Sequence, residues 1–169
     1  MKVLPPHTIL VVDDDGDVRR ALTRQLGSAE YTVLTAESGE EGLDVLRKHP
    51  VQLVISDQNM PGMSGIDFLK LVRDRHPHVV RMMLTADENP ETVVRSINEG
   101  EVYRFIRKPW DGASLRTMVH FAFELIVLEE ENRQLLSIVR RQHAQLMQVQ
   151  PAADAEAEMV LAEADLLER

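Results

Sequence analysis

The sequence contains no cysteine, few aromatic residues and no long apolar run. Without cysteine, the chain cannot form a disulfide framework or use a thiolate as a metal ligand or nucleophile. No segment approaches the about 20 consecutive apolar residues that span a bilayer. The segment before the first predicted strand is too short for a signal peptide, so we expect a cytoplasmic protein that does not contact the membrane.

Positive charge is also scarce, because 28 acidic residues outnumber 19 Lys and Arg and leave a net charge of −9. A nucleic-acid-binding surface needs clustered positive charge to neutralise phosphates. We therefore do not expect direct binding to nucleic acid. The hydrophobic fraction of 44% is that of an ordinary folded domain, with a core built mainly from aliphatic residues.

Short aliphatic runs alternate with amphipathic stretches between Thr8 and Phe105, a pattern typical of repeated βα units. Strands that are apolar at nearly every position favour a parallel sheet with helices on both faces. The start of one helix is predicted by Ser38 with Glu41, and that of another by Asn89 before Pro90. The predicted strands are TILVV at 8–12, YTVLTA at 31–36, QLVIS at 52–56, VVRMML at 79–84 and VYRFI at 102–106.

No Gly or Pro interrupts residues 113–150, which predicts one helix of roughly 38 residues. Such a helix would be about 57 Å long, so we expect its far half to extend beyond the domain. Apolar residues at alternating spacings of three and four predict a coiled-coil seam, in which Asn132 fixes the register of a parallel homodimer. The predicted seam residues are Leu125, Leu128, Asn132, Leu135, Val139 and Leu146.

Two features of this helix keep a second interpretation open. Gln142 falls at a core position of the seam, and Glu124 would face Glu129 across it. The alternative is that the apolar stripe packs on the chain's own domain or on another neighbour. Beyond Pro151, an acidic, Ala-rich segment predicts a second helical segment.

Polar residues follow four of the five predicted strands: Asp13 and Asp14, Asp57, Thr85 and Lys108. In a parallel sheet these strand ends meet at one edge. A carboxylate that attacks phosphorus is repelled by the charge of the phosphate, so the site needs a divalent cation and a positive side chain. The first two carboxylates suit Mg²⁺, Lys108 supplies the positive charge, Thr85 offers a hydroxyl, and Asp57 would be the nucleophile.

Each of these residues also has a purely structural interpretation. The acidic residues from Asp13 to Asp17 suit a helix cap, Asp57 and Thr85 suit strand ends, and a lysine before proline suits a turn. Their joint position at the ends of four different strands favours the functional interpretation.

Four segments, ILVVDDD, VISDQNMPGMSG, MLTA and IRKPW, resemble the signature blocks of response-regulator receiver domains over about residues 7–124. The resemblance implies a doubly wound α/β fold, (βα)₅, with a parallel five-stranded sheet in the order 2-1-3-4-5, to which this chain adds the extended C-terminal helix predicted above. It implies that Asp14, Asp57 and the backbone carbonyl of Asn59 bind Mg²⁺ directly, and Asp13 through water. Asp57 would accept a phosphoryl group from a histidine kinase, a phosphotransfer protein or a small phosphodonor.

The resemblance also assigns roles to residues around the phosphorylation site. Thr85 and Phe105 would be coupled switches that change the surface made by the fourth helix, the fifth strand and the fifth helix. Asn59 and Asp87 would tune hydrolysis of the aspartyl phosphate. The only catalysis expected is Mg²⁺-dependent self-phosphorylation and this hydrolysis.

We expect three regions: a receiver domain at 1–124, a coiled-coil extension at 125–150 and an acidic helical tail at 151–169 that is a candidate linker to an output domain. The Lys-Pro-Trp block running into a Glu-rich helix resembles regulators whose next domain is enzymatic, such as an HD-type cyclic-dinucleotide phosphodiesterase. This last comparison is a fold-level analogy.

Two other functions compete with the receiver. The Asp13-Asp14-Asp15-Gly16 segment resembles the start of a haloacid-dehalogenase-like phosphatase, which would be phosphorylated at Asp13, but the Thr that this family places near Asp17 and its late acidic pair are missing. The second is a dimeric scaffold that is never phosphorylated, against which the intact acidic pocket argues.

Overall fold

A five-stranded parallel sheet organises the domain. The computed structural model describes residues 7–28, 30–86 and 102–167, with side chains up to residue 147. Its strands are β1 His7–Val12, β2 Tyr31–Ala36, β3 Leu53–Asp57, β4 Val80–Thr85 and β5 Arg104–Arg107. They pair in the order β2-β1-β3-β4-β5, and every pairing is parallel. The predicted fold and strand order are therefore confirmed.

Helices follow the strands, and polar side chains cap their first turns. The described helices are α1 Gly16–Leu26, α2 Gly39–Lys48, α3 Gly65–Arg75 and the C-terminal helix Gly112–Leu167. The predicted cap at Ser38 is confirmed, because its Oγ accepts the backbone N–H of Glu41 at 3.2 Å. The Glu41 carboxylate accepts the N–H of Glu37, one residue before the cap. The helix start predicted at Asn89 and Pro90 lies outside the described residues.

The hydrophobic core has two halves, one on each face of the sheet. Alternate residues of a strand point to opposite faces, so Leu10 and Val12 of β1 pack with α2 and α3, while Ile9 and Val11 pack with α1 and the C-terminal helix. The central strands β1, β3 and β4 are buried on both faces, which explains their nearly continuous apolar sequences.

The chain divides into two compact units, Met1–Ile126 and Val127–Arg169, and the C-terminal helix contributes residues to both. In the first unit, buried residues at helical spacing pack against the sheet: Leu115, Val119, Ala122 and Phe123. In the second unit, several large apolar side chains are exposed, including Leu128 at 59%, Leu135 at 60% and Leu146 at 68%.

The helix extends further than the sequence predicts. We expected a separate helical segment after Pro151, but one helix continues through Pro151 to Leu167. A proline inside a helix costs about 3 kcal/mol, and the Ala, Glu and Leu residues that follow are among the strongest helix formers. Among the described residues, no helix combines the length and the apolar character required to cross a membrane.

Candidate functional site

The loop after β1 separates its three aspartates into different environments. Asp13 is fully buried and Asp14 is exposed. Asp15 caps α1, since its carboxylate accepts the backbone N–H of Asp17 at 2.8 Å. The structural interpretation therefore applies to Asp15, which caps the helix, and it leaves Asp13 and Asp14 as the residues of the predicted site.

Two hydrogen-bond systems fix this loop. Asp13 Oδ1 accepts the N–H of Asp15 at 2.9 Å. Arg19, on the first turns of α1, donates through Nη1 to the backbone carbonyls of Asp13 at 2.6 Å and Asp14 at 3.1 Å. Arg19 has no distinctive sequence signal, because its role depends on the path of the loop carbonyls. By holding the backbone, Arg19 positions both carboxylates at the carboxyl end of β1.

Asp57 is the last residue of β3, and its surroundings require a glycine at the start of α3. A Cβ added to Gly65 would lie 1.9 Å from the backbone oxygen of Asp57. Only glycine permits this close approach. The Asp57 side chain is nearly buried, and its Oδ2 accepts the backbone N–H of Asn59 at 2.9 Å. The carboxylate is thus oriented by its own loop.

Lys108 joins the carboxylates across the sheet. Its Nζ lies 2.6 Å from Asp57 Oδ1 and 3.0 Å from Asp13 Oδ2. The backbone N–H of Lys108 donates to the carbonyl of Thr85 at 2.9 Å, so the residue continues the pairing of β4 with β5. Hydrogen bonds to charged groups at these distances are among the strongest in proteins. The structure therefore brings together the ends of β1, β3 and β5, as predicted.

The electrostatics of the cluster favour a further cation. Burial raises the pKa of the Asp13 carboxyl, and the hydrogen bonds from Asp15 and Lys108 do not fully offset this effect. Burial alone would lower the pKa of the Lys108 ammonium, but the hydrogen bonds and charges of Asp57 and Asp13 outweigh it and raise that pKa. Lys108 therefore stays protonated, and it does not by itself offset the cost of the buried negative charge.

Three carboxylates form a candidate metal centre. Asp13, Asp14 and Asp57 each offer one oxygen, and these oxygens lie within 4.8 Å of one another. Hard oxygen donors of this kind are the ligands that Mg²⁺ prefers, together with retained waters. Asn59, whose carbonyl is the fourth predicted ligand, is exposed beside Asp57. The donor set fits Mg²⁺.

The predicted switch residues lie on β4 and β5. Thr85 ends β4 and is buried, and its hydroxyl donates to Gln58 Oε1 at 2.5 Å. Phe105, on β5, is half-buried against the core on the α2 and α3 face. Asp87 lies outside the described residues. Gln58 is not predicted from the sequence, because glutamine after a strand-end aspartate has no distinctive signal.

The comparisons with known proteins agree with this architecture. The family model described as "Response regulator receiver domain" matches residues 9–120. The chain therefore belongs to the response-regulator receiver domain family of two-component signal transduction. Receiver domains typically bind Mg²⁺ at an acidic pocket, and Asp13, Asp14 and Asp57 form an acidic cluster in this chain.

Individual relatives extend the comparison. The hydrogenase transcriptional regulatory protein HoxA of Cupriavidus necator is 38% identical over 128 residues, which cover 76% of this chain and 26% of HoxA. The signal receiver domain of an HD domain-containing protein from Pseudomonas fluorescens Pf-5 is 32% identical, with a TM-score of 0.70 over 72% of this chain and 98% of that one. An adenylate cyclase structure from Rhodopirellula baltica is 32% identical, with a TM-score of 0.72 over 79% and 98%. The chain thus spans about a quarter of the length of the curated relatives it matches.

The metal centre can be tested by neutralising neighbouring aspartates. Asp14→Asn removes a charged ligand and should weaken Mg²⁺ binding by about tenfold or more. Asp15→Asn is the matched control, because asparagine caps a helix as well as aspartate does and Asp15 is outside the cluster. Calorimetric Mg²⁺ titration measures both variants. Equal losses of affinity in the two variants would show that general acidity, and not this cluster, binds the metal.

Proposed function

We propose that Asp57 accepts a phosphoryl group from a histidine kinase or a phosphotransfer protein. We also propose that the chain is cytoplasmic. The observation that carries the proposal is the position of Lys108 Nζ, 2.6 Å from Asp57 Oδ1 and 3.0 Å from Asp13 Oδ2. An ammonium held between two carboxylates at a strand edge supplies the fixed positive charge that a phosphoryl group requires.

The transfer forms one bond and breaks another. A carboxylate oxygen of Asp57 forms a bond to phosphorus while the bond from phosphorus to the donor's imidazole nitrogen breaks, and the imidazole leaves with the bonding electron pair. Lys108 then donates to the phosphoryl oxygens, and the N–H of Asn59 keeps the Asp57 carboxylate oriented. Positioning and charge stabilisation are the main contributions a protein makes to such a transfer.

The charge balance of this site leaves a role for Mg²⁺. Asp13, Asp14, Asp57 and the backbone carbonyl of Asn59 would hold it, and it supplies neutralisation of the phosphoryl oxygens. Burial keeps the pKa of the Asp13 carboxyl raised although Lys108 lowers it, which supports the need for a second positive charge.

Relay of the signal uses Thr85 and Phe105. The Thr85 hydroxyl moves to a phosphoryl oxygen, and Phe105 turns inward from its half-buried position on β5. This changes the surface that β5 and the C-terminal helix form with the helix that the family pattern implies between β4 and β5, a segment that lies outside the described residues. Asn59 and Asp87 set the lifetime of the aspartyl phosphate, since both flank the phosphoryl group in the family pattern.

Phosphorylation should occur at Asp57 and nowhere else. Incubation with acetyl phosphate and Mg²⁺ should increase the mass of the chain by one phosphoryl group, in a form labile to hydroxylamine. Asp57→Asn should abolish this increase, because the amide is not a nucleophile, whereas Asp15→Asn should retain it. Intact-protein mass spectrometry and peptide mapping provide the measurement.

The same experiment separates the competing functions. Modification mapped to Asp13 would favour the haloacid-dehalogenase-like phosphatase. Absence of modification with acetyl phosphate and with a phosphorylated histidine kinase would favour the scaffold that is never phosphorylated.

We also propose that the C-terminal helix forms a parallel homodimer along the predicted seam. Leu128, Leu135, Val139 and Leu146 are all more than half exposed, so their burial is left to a partner. Leu136 and Ile138 flank this line and are also exposed, which widens the apolar stripe. A second copy of the chain presents the same stripe, and the Asn132 side chains of the two copies can pair at the seam.

Charges on the seam should separate the copies. The double variant Leu128→Glu, Leu135→Glu places four like charges in a dimer interface and should give monomers in light scattering. Ser137→Glu, Ala144→Glu is the matched control, since both positions fall on the opposite side of the heptad, and it should remain dimeric. Dimers in the first variant, or monomers in the unmodified chain, would refute the seam.

The regions of the chain suggest how the signal leaves the receiver domain. We propose a receiver domain at 1–124, a coiled coil at 125–150 and a linker at 151–169 that leads to an output domain or partner. HoxA is a transcriptional regulatory protein, whereas the structural relatives are an HD domain-containing protein and an adenylate cyclase. The HD domain-containing protein from Pseudomonas fluorescens Pf-5 supports an HD-type phosphodiesterase as the output domain.

A further inference from the structure

A buried hydrogen bond joins the residue after Asp57 to the proposed switch residue. Thr85 Oγ1 lies 2.5 Å from Gln58 Oε1. Gln58 is 8% exposed and Thr85 is 5% exposed, so water competes little for either group. A hydrogen bond shielded in this way is stronger than one on the surface, and breaking it without replacement is costly.

The sheet register explains why these two side chains meet. Asp57 pairs with Leu84 across β3 and β4, so the next residue on each strand is Gln58 opposite Thr85. The backbone of Gln58 is fixed at both polar groups: its N–H donates to the carbonyl of Leu84 at 3.0 Å, and its carbonyl accepts the N–H of Gly65 at 2.9 Å. The backbone that carries the Gln58 side chain is therefore held in place.

The Thr85 hydroxyl has one proton and cannot donate it fully to two acceptors. We propose that Gln58 is a positioning residue that holds the Thr85 hydroxyl in the unphosphorylated state and opposes its movement to the phosphoryl group. The inference rests on the proposed function, in which Thr85 bonds a phosphoryl oxygen. Phosphorylation then exchanges the buried hydrogen bond to Gln58 for one to the phosphoryl group, and the Gln58 acceptor contributes to the energy difference between the two states.

The test compares Gln58→Met with the unmodified chain. Methionine keeps the length and unbranched shape of glutamine but replaces its amide oxygen with a weakly accepting sulfur. The probe is beryllofluoride with Mg²⁺, which adds to a carboxylate as a phosphoryl group does, monitored by the fluorescence of Trp110, the single tryptophan. Beryllofluoride should bind Gln58→Met about fivefold more tightly, the equivalent of one neutral hydrogen bond.

Three controls separate a positioning role from a general structural effect. Mg²⁺ affinity without beryllofluoride should not change, because Gln58 is outside the carboxylate cluster. Gln52→Met should leave beryllofluoride affinity unchanged, although Gln52 also accepts a hydrogen bond through Oε1, from the N–H of Thr8. In a Thr85→Val background, Gln58→Met should give no gain, since no hydroxyl remains to be held.

The outcomes distinguish this inference from the proposed function. Equal beryllofluoride affinity in Gln58→Met and the unmodified chain overturns the inference and leaves the proposed function intact. A gain that persists with Thr85→Val also overturns it. Absence of beryllofluoride binding in the unmodified chain overturns both. If circular dichroism shows that Gln58→Met does not fold, Gln58→Leu is measured in the same way, with the same expected gain.

Discussion

Lys108 contacts both Asp57 and Asp13, and the other groups of the site are arranged around this ion pair. Two nearly buried carboxylates at neighbouring strand ends repel each other, and the ammonium between them makes their proximity possible. The remaining devices place the groups that Lys108 joins. Arg19 holds the loop after β1, and Gly65 allows α3 to begin directly against the end of β3.

The sheet and the cluster were predictable from the sequence because each depends on a strong, local signal. Strands buried on both faces must be apolar at nearly every position, and parallel strands must present their carboxyl ends at one edge. These two rules predict the common location of four residues, Asp13, Asp14, Asp57 and Lys108. The rules do not predict their hydrogen-bond partners, because Arg19 and Gln58 act through the loop path and the strand register, which the sequence does not state.

The C-terminal helix shows the opposite limit. Its seam is a clear sequence pattern, and the exposure of Leu128 and Leu135 agrees with an apolar stripe that does not pack within its own unit. The pattern describes one side of an interface, however, and the identity of the partner is a property of two chains. The pattern also underestimates the length of the helix, because Pro151 predicts an interruption, whereas the strong helix formers after it continue the element.

The central claim is that Lys108 and the three carboxylates form one phosphoryl-accepting site with Asp57 as the acceptor. A crystal structure of the chain with Mg²⁺ and beryllofluoride tests it most directly. We expect beryllium bonded to the Asp57 carboxylate and a fluoride in contact with Lys108 Nζ. The metal should be bound directly by Asp14, Asp57 and the backbone carbonyl of Asn59, and through water by Asp13. Beryllium bonded to Asp13, or a complex in which Lys108 contacts no fluoride, would contradict it.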